Sequence, residues 1–184
     1  MHELGAHIEK TDGDNNYERK TGQYITIGEQ AEIRHVRFGL LCIWQKMCLD
    51  VLRHQNVRTV TVVVDHRGGV GKSYLANYLF ERVRALYICP LSKNIQQDVA
   101  SAWNGERIIV IDIPRSYKWT KELCVGLEMI KDGLVADCRY NYKVRNVRGC
   151  KVLVLTNYEP NRAWLSEDRW QIIYPGRAGR RFLP

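Results

Sequence analysis

The stretch Val62-Val63-Val64-Asp65-His66-Arg67-Gly68-Gly69-Val70-Gly71-Lys72-Ser73 restricts the fold of this chain more than any other. A run of mostly β-branched residues over 59–64 enters a glycine-rich turn, and Gly71-Lys72-Ser73 leads directly into a helical pattern. Strand, turn and helix in that order make a phosphate-binding loop. Backbone N–H groups over Gly68, Gly69, Val70, Gly71, Lys72, Ser73 and Tyr74 converge on a polyphosphate. Lys72 reaches the β/γ-phosphates, and the Ser73 hydroxyl can ligate Mg²⁺. The helix that follows turns its positive end towards the anion. The expected ligand is ATP or GTP. One departure stands out: His66 occupies the place, five before Gly71, where the usual pattern has a glycine.

Two further apolar runs resemble the strand before this loop. Arg107-Ile108-Ile109-Val110-Ile111-Asp112-Ile113 is stopped by Pro114, and Lys151-Val152-Leu153-Val154-Leu155-Thr156 ends at Asn157. None of the three alternates apolar with polar, which is the pattern of strands buried on both faces of a parallel sheet. The fold class is therefore α/β, a P-loop NTPase with a central parallel sheet covered by helices on both faces. In such sheets functional groups gather at the carboxyl ends of the strands. Here those ends carry the loop, Asp112 and Asn157. A carboxylate at Asp112 would hold Mg²⁺ against the β/γ-phosphates, or else it caps the turn before Pro114. Asn157 either orients the attacking water and contacts the γ-phosphate, or satisfies its own backbone. Ile113 stands where many hydrolytic relatives of this class carry a second acid, so the general base is unassigned.

The remaining elements follow by periodicity. Leu40, Trp44, Met47, Cys48 and Val51 predict a helix over 36–52, with Trp44 and Leu40 as core. Helices are also predicted over 73–86, 94–102 and from Thr120 to Lys131, where Thr120 is the N-cap and Asp132-Gly133 closes the element. Short strands are expected at 87–89 and 172–174, and a short helical piece within 164–170. Residues 1–32 read as a polar arm in which only Tyr24-Ile25-Thr26-Ile27 is strand-like. Residues 33–174 form the ATPase domain, and 175–184 a basic tail with Arg177, Arg180 and Arg181.

The formal charge of +8, from 28 Lys and Arg against 20 Asp and Glu, suits a polyanionic partner. The stretch 140–148 alternates Lys and Arg with Tyr and Val and predicts an exposed hairpin. Arg139, Tyr140, Lys143 and Arg145 there combine cations that follow phosphates with a ring that stacks bases. That pairing suits single strands, against the plainer alternative of an exposed basic hairpin with no ligand. The six cysteines form no ligand spacing, and most lie in apolar stretches, which predicts buried free thiols. With no apolar stretch of membrane-spanning length and no signal-peptide pattern, a soluble, intracellular protein with no membrane partner is expected.

Taken together, these pieces resemble the superfamily 3 (AAA+-like) helicase domain of replication initiator (Rep) proteins of circular single-stranded DNA viruses and satellites, of the circovirus, nanovirus and alphasatellite type. The resemblance rests on Trp44-Gln45, on Asp65-x-x-Gly68-x-x-Gly71-Lys72-Ser73 and on Val110-Ile111-Asp112-Ile113-Pro114-Arg115. It continues through 131–140, Val154-Leu155-Thr156-Asn157-Tyr158-x-Pro160 and Leu165-Ser166-x-Asp168-Arg169-Trp170. Many members of that family also lack the first loop glycine and the second acid. The resemblance implies ATP and Mg²⁺ as cofactors, a homo-oligomeric ring (commonly a hexamer), single-stranded DNA as partner, and 3′–5′ unwinding during rolling-circle replication, in the host nucleus for a viral protein. Arg169 then serves as an arginine finger for a neighbouring subunit; a salt bridge with Asp168 or Glu167 is the alternative. Arg139 stands where the family has a DNA-contacting lysine. Ala6-His7-Ile8-Glu9-Lys10 resembles the end of the family's HUH endonuclease domain, with His7 in place of the nicking tyrosine. Tyr17-x-x-Lys20 has that tyrosine's spacing outside its context, so nicking is not expected. A virus-derived nucleic-acid-binding protein with a decayed ATPase is the second reading. A small-molecule kinase is a third, disfavoured by Asn157 and the basic hairpin.

Overall fold

The computed structural model describes residues 40–139 and 142–176. The arm over 1–32, its strand-like segment, the tail from Arg177 onwards and Tyr140 lie outside these residues. The elements, in chain order, are α1 (Ile43–His54), β1 (Val60–Val64), α2 (Lys72–Val83), β2 (Leu86–Tyr87), α3 (Ile95–Ala102), β3 (Ile108–Asp112), α4 (Lys121–Asp132), β4 (Leu134–Asp137), β5 (Lys143–Asn146), β6 (Lys151–Thr156) and β7 (Trp170–Ile173). Two 3₁₀ turns, Arg162–Trp164 and Glu167–Arg169, join β6 to β7.

Five strands form one parallel sheet in the order β2-β3-β6-β1-β7. The strand ending at Asn157 is thus inserted between the strand that feeds the glycine loop and the strand that ends at Asp112. Alternate side chains on the central strands go to opposite faces, as the pleat requires. Val60, Val62 and Val64, with Ile109, Ile111, Val152 and Val154, pack under α3 and α4 through Ile95, Val99, Leu123, Leu127 and Ile130. Val63, Val110, Leu153 and Leu155 pack under α1 and α2 through Trp44, Cys48, Leu52, Leu75 and Leu79. The predicted α/β architecture, with helices on both faces of a parallel sheet, is the observed one.

Several expectations need correction. Among the described residues, the helix predicted over 36–52 starts at Ile43, and its buried stripe is Trp44, Gln45, Cys48 and Leu52. Leu40 precedes the helix and is 57% exposed, and Met47, on the outer face, is 61% exposed. The second helix stops at Val83 because Arg84 adopts a left-handed conformation, φ +56°, and the Ala85 N–H bonds back to the Leu79 carbonyl. The hairpin begins six residues earlier than predicted: β4 pairs antiparallel with β5 from Leu134↔Asn146 to Asp137↔Lys143. Nor is it fully exposed, because Val135 and Asp137 are buried against α3. Cys42, Cys48, Cys124 and Cys150 are buried thiols, as predicted, whereas Cys89 and Cys138 are exposed. Burial raises the Cys48 and Cys124 pKa values to about 12.

Candidate functional site

The loop between β1 and α2 is shaped by three glycines with positive φ, namely Gly68 (+79°), Gly69 (+79°) and Gly71 (+93°). Only Gly takes that conformation without strain. His66 is not among the residues with positive φ, so a side chain is tolerated where other loops carry glycine. Its imidazole instead lies outside the loop, 3.5 Å from Glu159. Asp65 ties the entry of the turn by accepting the Gly68 N–H at 2.9 Å.

Helix α1 braces the loop from behind. The Trp44 indole N–H donates to the Val70 carbonyl and the Gln45 amide to the Gly71 carbonyl, each at 2.9 Å. The Gln45 carbonyl in turn accepts the Cys42 N–H at 2.9 Å. This explains why a buried Gln follows the Trp at the start of that helix.

A cavity of about 720 Å³ opens at the carboxyl ends of the strands. Gly68, Gly69, Lys72, Ser73, Asp112 and Asn157 all line it. Lys72 Nζ is 3.2 Å from Asp65 Oδ2, and both side chains are buried. Burial opposes ionisation of Asp65, but the ion pair with Lys72 and the Gly68 N–H outweigh it and hold the carboxyl below its usual pKa. Ser73 Oγ donates to Asp112 Oδ2 at 2.9 Å, so the hydroxyl and carboxylate expected to share Mg²⁺ are adjacent. Asn157 is 8% exposed, and its amide nitrogen donates to the Asp65 carbonyl, which fixes it between the loop and β3.

The cavity also contains residues that the sequence did not single out as site residues. Arg67 and Arg115 add cations, and Tyr87, Cys89, Pro90 and Leu91 form the wall beyond Asp112. Tyr87 ends β2 beside β3, so the strand-end rule that selected Asp112 and Asn157 points to it as well. Desolvation, and secondarily the charge of Asp112, raises its phenol pKa.

The remaining predicted residues lie elsewhere. Arg169 is not presented outward: it is 4% exposed, with Nη2 at 2.8 Å from Asp132 and 3.3 Å from Glu128 of α4. It precedes Trp170, which pairs with Val60 at the start of β1, so it sits at the amino end of the sheet. Neither predicted salt-bridge partner holds it, because Asp168 pairs with Arg58 at 2.8 Å. Arg139 is clamped by Asp137 at 2.9 Å and Asp98 at 2.8 Å, and those hydrogen bonds raise its pKa further. Lys143 donates to the Ser101 carbonyl at 2.9 Å, and Arg145 Nε is buried with no hydrogen-bond partner. Among the described residues no group of three or more His, Cys, Asp or Glu is placed to hold a metal ion, and no helix is long and apolar enough to cross a membrane.

A glycine loop running from a central parallel strand into a helix, with polar groups at the ends of the next two strands on one side, β6 and β3, defines a P-loop α/β domain. No family model matches the chain. Its homologues are replication proteins of circular single-stranded DNA viruses and satellites. It is 28% identical over 131 residues to the master replication protein of Subterranean clover stunt virus (strain F), covering 71% of this chain and 44% of that protein. The same figures hold for the master replication protein of Banana bunchy top virus. Identity is 30% over 140 residues to the Para-Rep C1 of Milk vetch dwarf C1 alphasatellite, covering 71% of this chain and 46% of that protein. The chain therefore spans less than half the length of these relatives. Among solved structures, the apo A form of the NrS-1 C-terminal region aligns with a TM-score of 0.46 at 12% identity, over 77% of this chain and 39% of that one.

Proposed function

We propose that this chain is an ATP-dependent DNA helicase, or single-strand-stimulated ATPase, with a Rep-like role in rolling-circle replication. One observation carries the reading: Lys72, Ser73, Asp112 and Asn157 converge on one cavity at the ends of three adjacent strands. ATP would lay its phosphates over the loop N–H groups and the start of α2, with Lys72 leaving Asp65 for the β/γ-phosphates. Ser73 and Asp112 offer the hard oxygen donors that Mg²⁺ takes. Bound there, Mg²⁺ neutralises charge on the phosphates. Asn157 orients the attacking water. Single-stranded DNA would run along the hairpin cations Lys143 and Arg145, in a ring of identical subunits acting in the host nucleus. The names of the relatives, all replication proteins, support the reading.

ATP hydrolysis with and without single-stranded DNA, for wild type and Lys72→Ala, tests it. Turnover that is stimulated by DNA and lost in the variant is the expected result. A wild-type protein with no turnover under either condition overturns it in favour of a nucleic-acid-binding protein with a decayed ATPase. The ion pair that occupies Lys72 favours that second reading, which predicts DNA binding indifferent to Lys72→Ala.

A further inference from the structure

We propose that Arg115 stabilises the charge that develops on the transferred phosphoryl group, and that it acts within its own subunit. The inference rests on the ATPase reading above and adds the residue that reading lacks. Arg115 lies three positions past Asp112, the last residue of β3, and directly follows Pro114. Its guanidinium Nη2 is 3.4 Å from the His66 carbonyl. A Cβ built on Gly68 would lie 2.7 Å from that Nη2 and 3.8 Å from the Asn157 amide nitrogen. The arginine head therefore hangs over the glycine loop beside Asn157, in the cavity that holds Lys72, Ser73 and Asp112.

Charge points the same way. Lys72 already has Asp65, and Arg169 has Asp132 and Glu128, both pairs remote from or opposed to a role at the γ-phosphate in this state. Among the described residues no carboxylate lies within salt-bridge distance of Arg115. An uncompensated fork of N–H donors in a cavity made for phosphates is suited to bidentate contact with phosphoryl oxygens. In the hydrolysis, water oxygen bonds to the γ-phosphorus as the bond to the β,γ-bridging oxygen breaks. The electron pair leaves on ADP, and the water protons end on inorganic phosphate and solvent. Arg115 exchanges no atom or electron; its donors strengthen as negative charge spreads over the γ-oxygens. Gly68 is required for its backbone conformation; a Cβ there would meet only the end of the Arg115 side chain, which can swing aside.

The test compares wild type, Arg115→Ala and Arg115→Lys for ADP affinity, ATP turnover and affinity for ADP–aluminium fluoride, which mimics the transition state. Loss of a donor of this kind lowers turnover by about 10²–10³-fold. The expected result is that loss in Arg115→Ala, a matching loss of ADP–aluminium fluoride affinity, ADP affinity within about threefold, and only partial recovery with Lys, which lacks the fork. Mixing Arg115→Ala with Lys72→Ala subunits should restore nothing, because both residues serve one site. Recovery on mixing would overturn action within the subunit, and unchanged turnover in Arg115→Ala would overturn the assignment while leaving the ATPase reading intact. A wild type that neither binds nor hydrolyses ATP would overturn both.

Discussion

Gln45 is the residue on which the loop's geometry depends and on which periodicity is silent. It is 2% exposed and bonds both the Gly71 carbonyl and the Cys42 N–H. Gln45→Leu keeps the volume but strands the buried Cys42 N–H and leaves the Gly71 carbonyl with the Leu75 N–H alone, at about 1–3 kcal/mol for such losses. Urea unfolding should register that cost, and ATP affinity should fall with it because the loop N–H groups lose their backing. Lost stability with unchanged affinity would show that the brace serves the fold alone. At this scale the sequence was legible where chemistry demands a residue type: Lys72, Ser73, Asp112 and Asn157 line one cavity, as the strand-end argument required. It was not legible where a residue's partner is distant in the chain. Asp168 and Glu167 are sequence neighbours of Arg169, yet its partners lie 37 and 41 positions away on α4. Trp44 was correctly read as core, but nothing local announces that its N–H faces Val70.

Among the elements, the end of α4 carries an unusual group. Lys131 is 4% exposed, and its ammonium donates to Gln55 Oε1, Asn56 O and Cys150 O at 3.0–3.2 Å, with no carboxylate among these acceptors. Desolvation, and next the charge of Lys151, with a smaller push from Arg169, lowers its pKa to about 8, against a slight opposing effect of Cys150. The unfolded chain keeps the ordinary value of 10.5, so between the two values it binds more protons than the folded one. Stability from this group therefore rises with pH through about 8, the penalty for burying the charge being fully present below it. Buried thiols oppose this once unfolded cysteines ionise near 9, so the clean window closes there. Between roughly pH 7.5 and 8.8 Lys131 should contribute about 1 kcal/mol in urea unfolding, read as the divergence of the wild-type and Lys131→Met profiles, on which the thiols act equally. Parallel profiles in the two proteins would refute the assignment. Element existence was readable because apolar runs and 3.6-residue stripes are local. Element ends were less so: Arg84 stops α2 in a left-handed conformation that its residue type does not signal. The hairpin's first strand, Leu134–Asp137, was hidden because its apolar side faces α3 and its sequence is too short to show a period.

For the whole molecule the open quantity is which of the excess cations would meet the proposed single strand. Strand order was beyond the sequence, since the insertion of β6 between β1 and β3 is set by long-range pairing. The placement of charge follows from that same packing. Net charge alone would count Arg139 with Lys143 and Arg145, but Asp137 and Asp98 already neutralise it. Lys143 meets a carbonyl, and Arg145 has no carboxylate within salt-bridge distance among the described residues. Each phosphate neutralised on a single strand contributes a slope of about −0.7 to log K against log salt. Lys143→Ala and Arg145→Ala should each flatten the slope for an oligo-dT probe by about that amount. Arg139→Ala should leave it nearly unchanged, because removing the arginine exposes two carboxylates that repel the strand and so lowers affinity without releasing fewer counterions. Fluorescence anisotropy between 50 and 300 mM salt separates these outcomes, on the order of a factor of ten in affinity for a few contacts. Equal flattening by all three variants would mean that DNA displaces the carboxylates from Arg139, and an unchanged slope in all three would move the DNA path off the hairpin altogether.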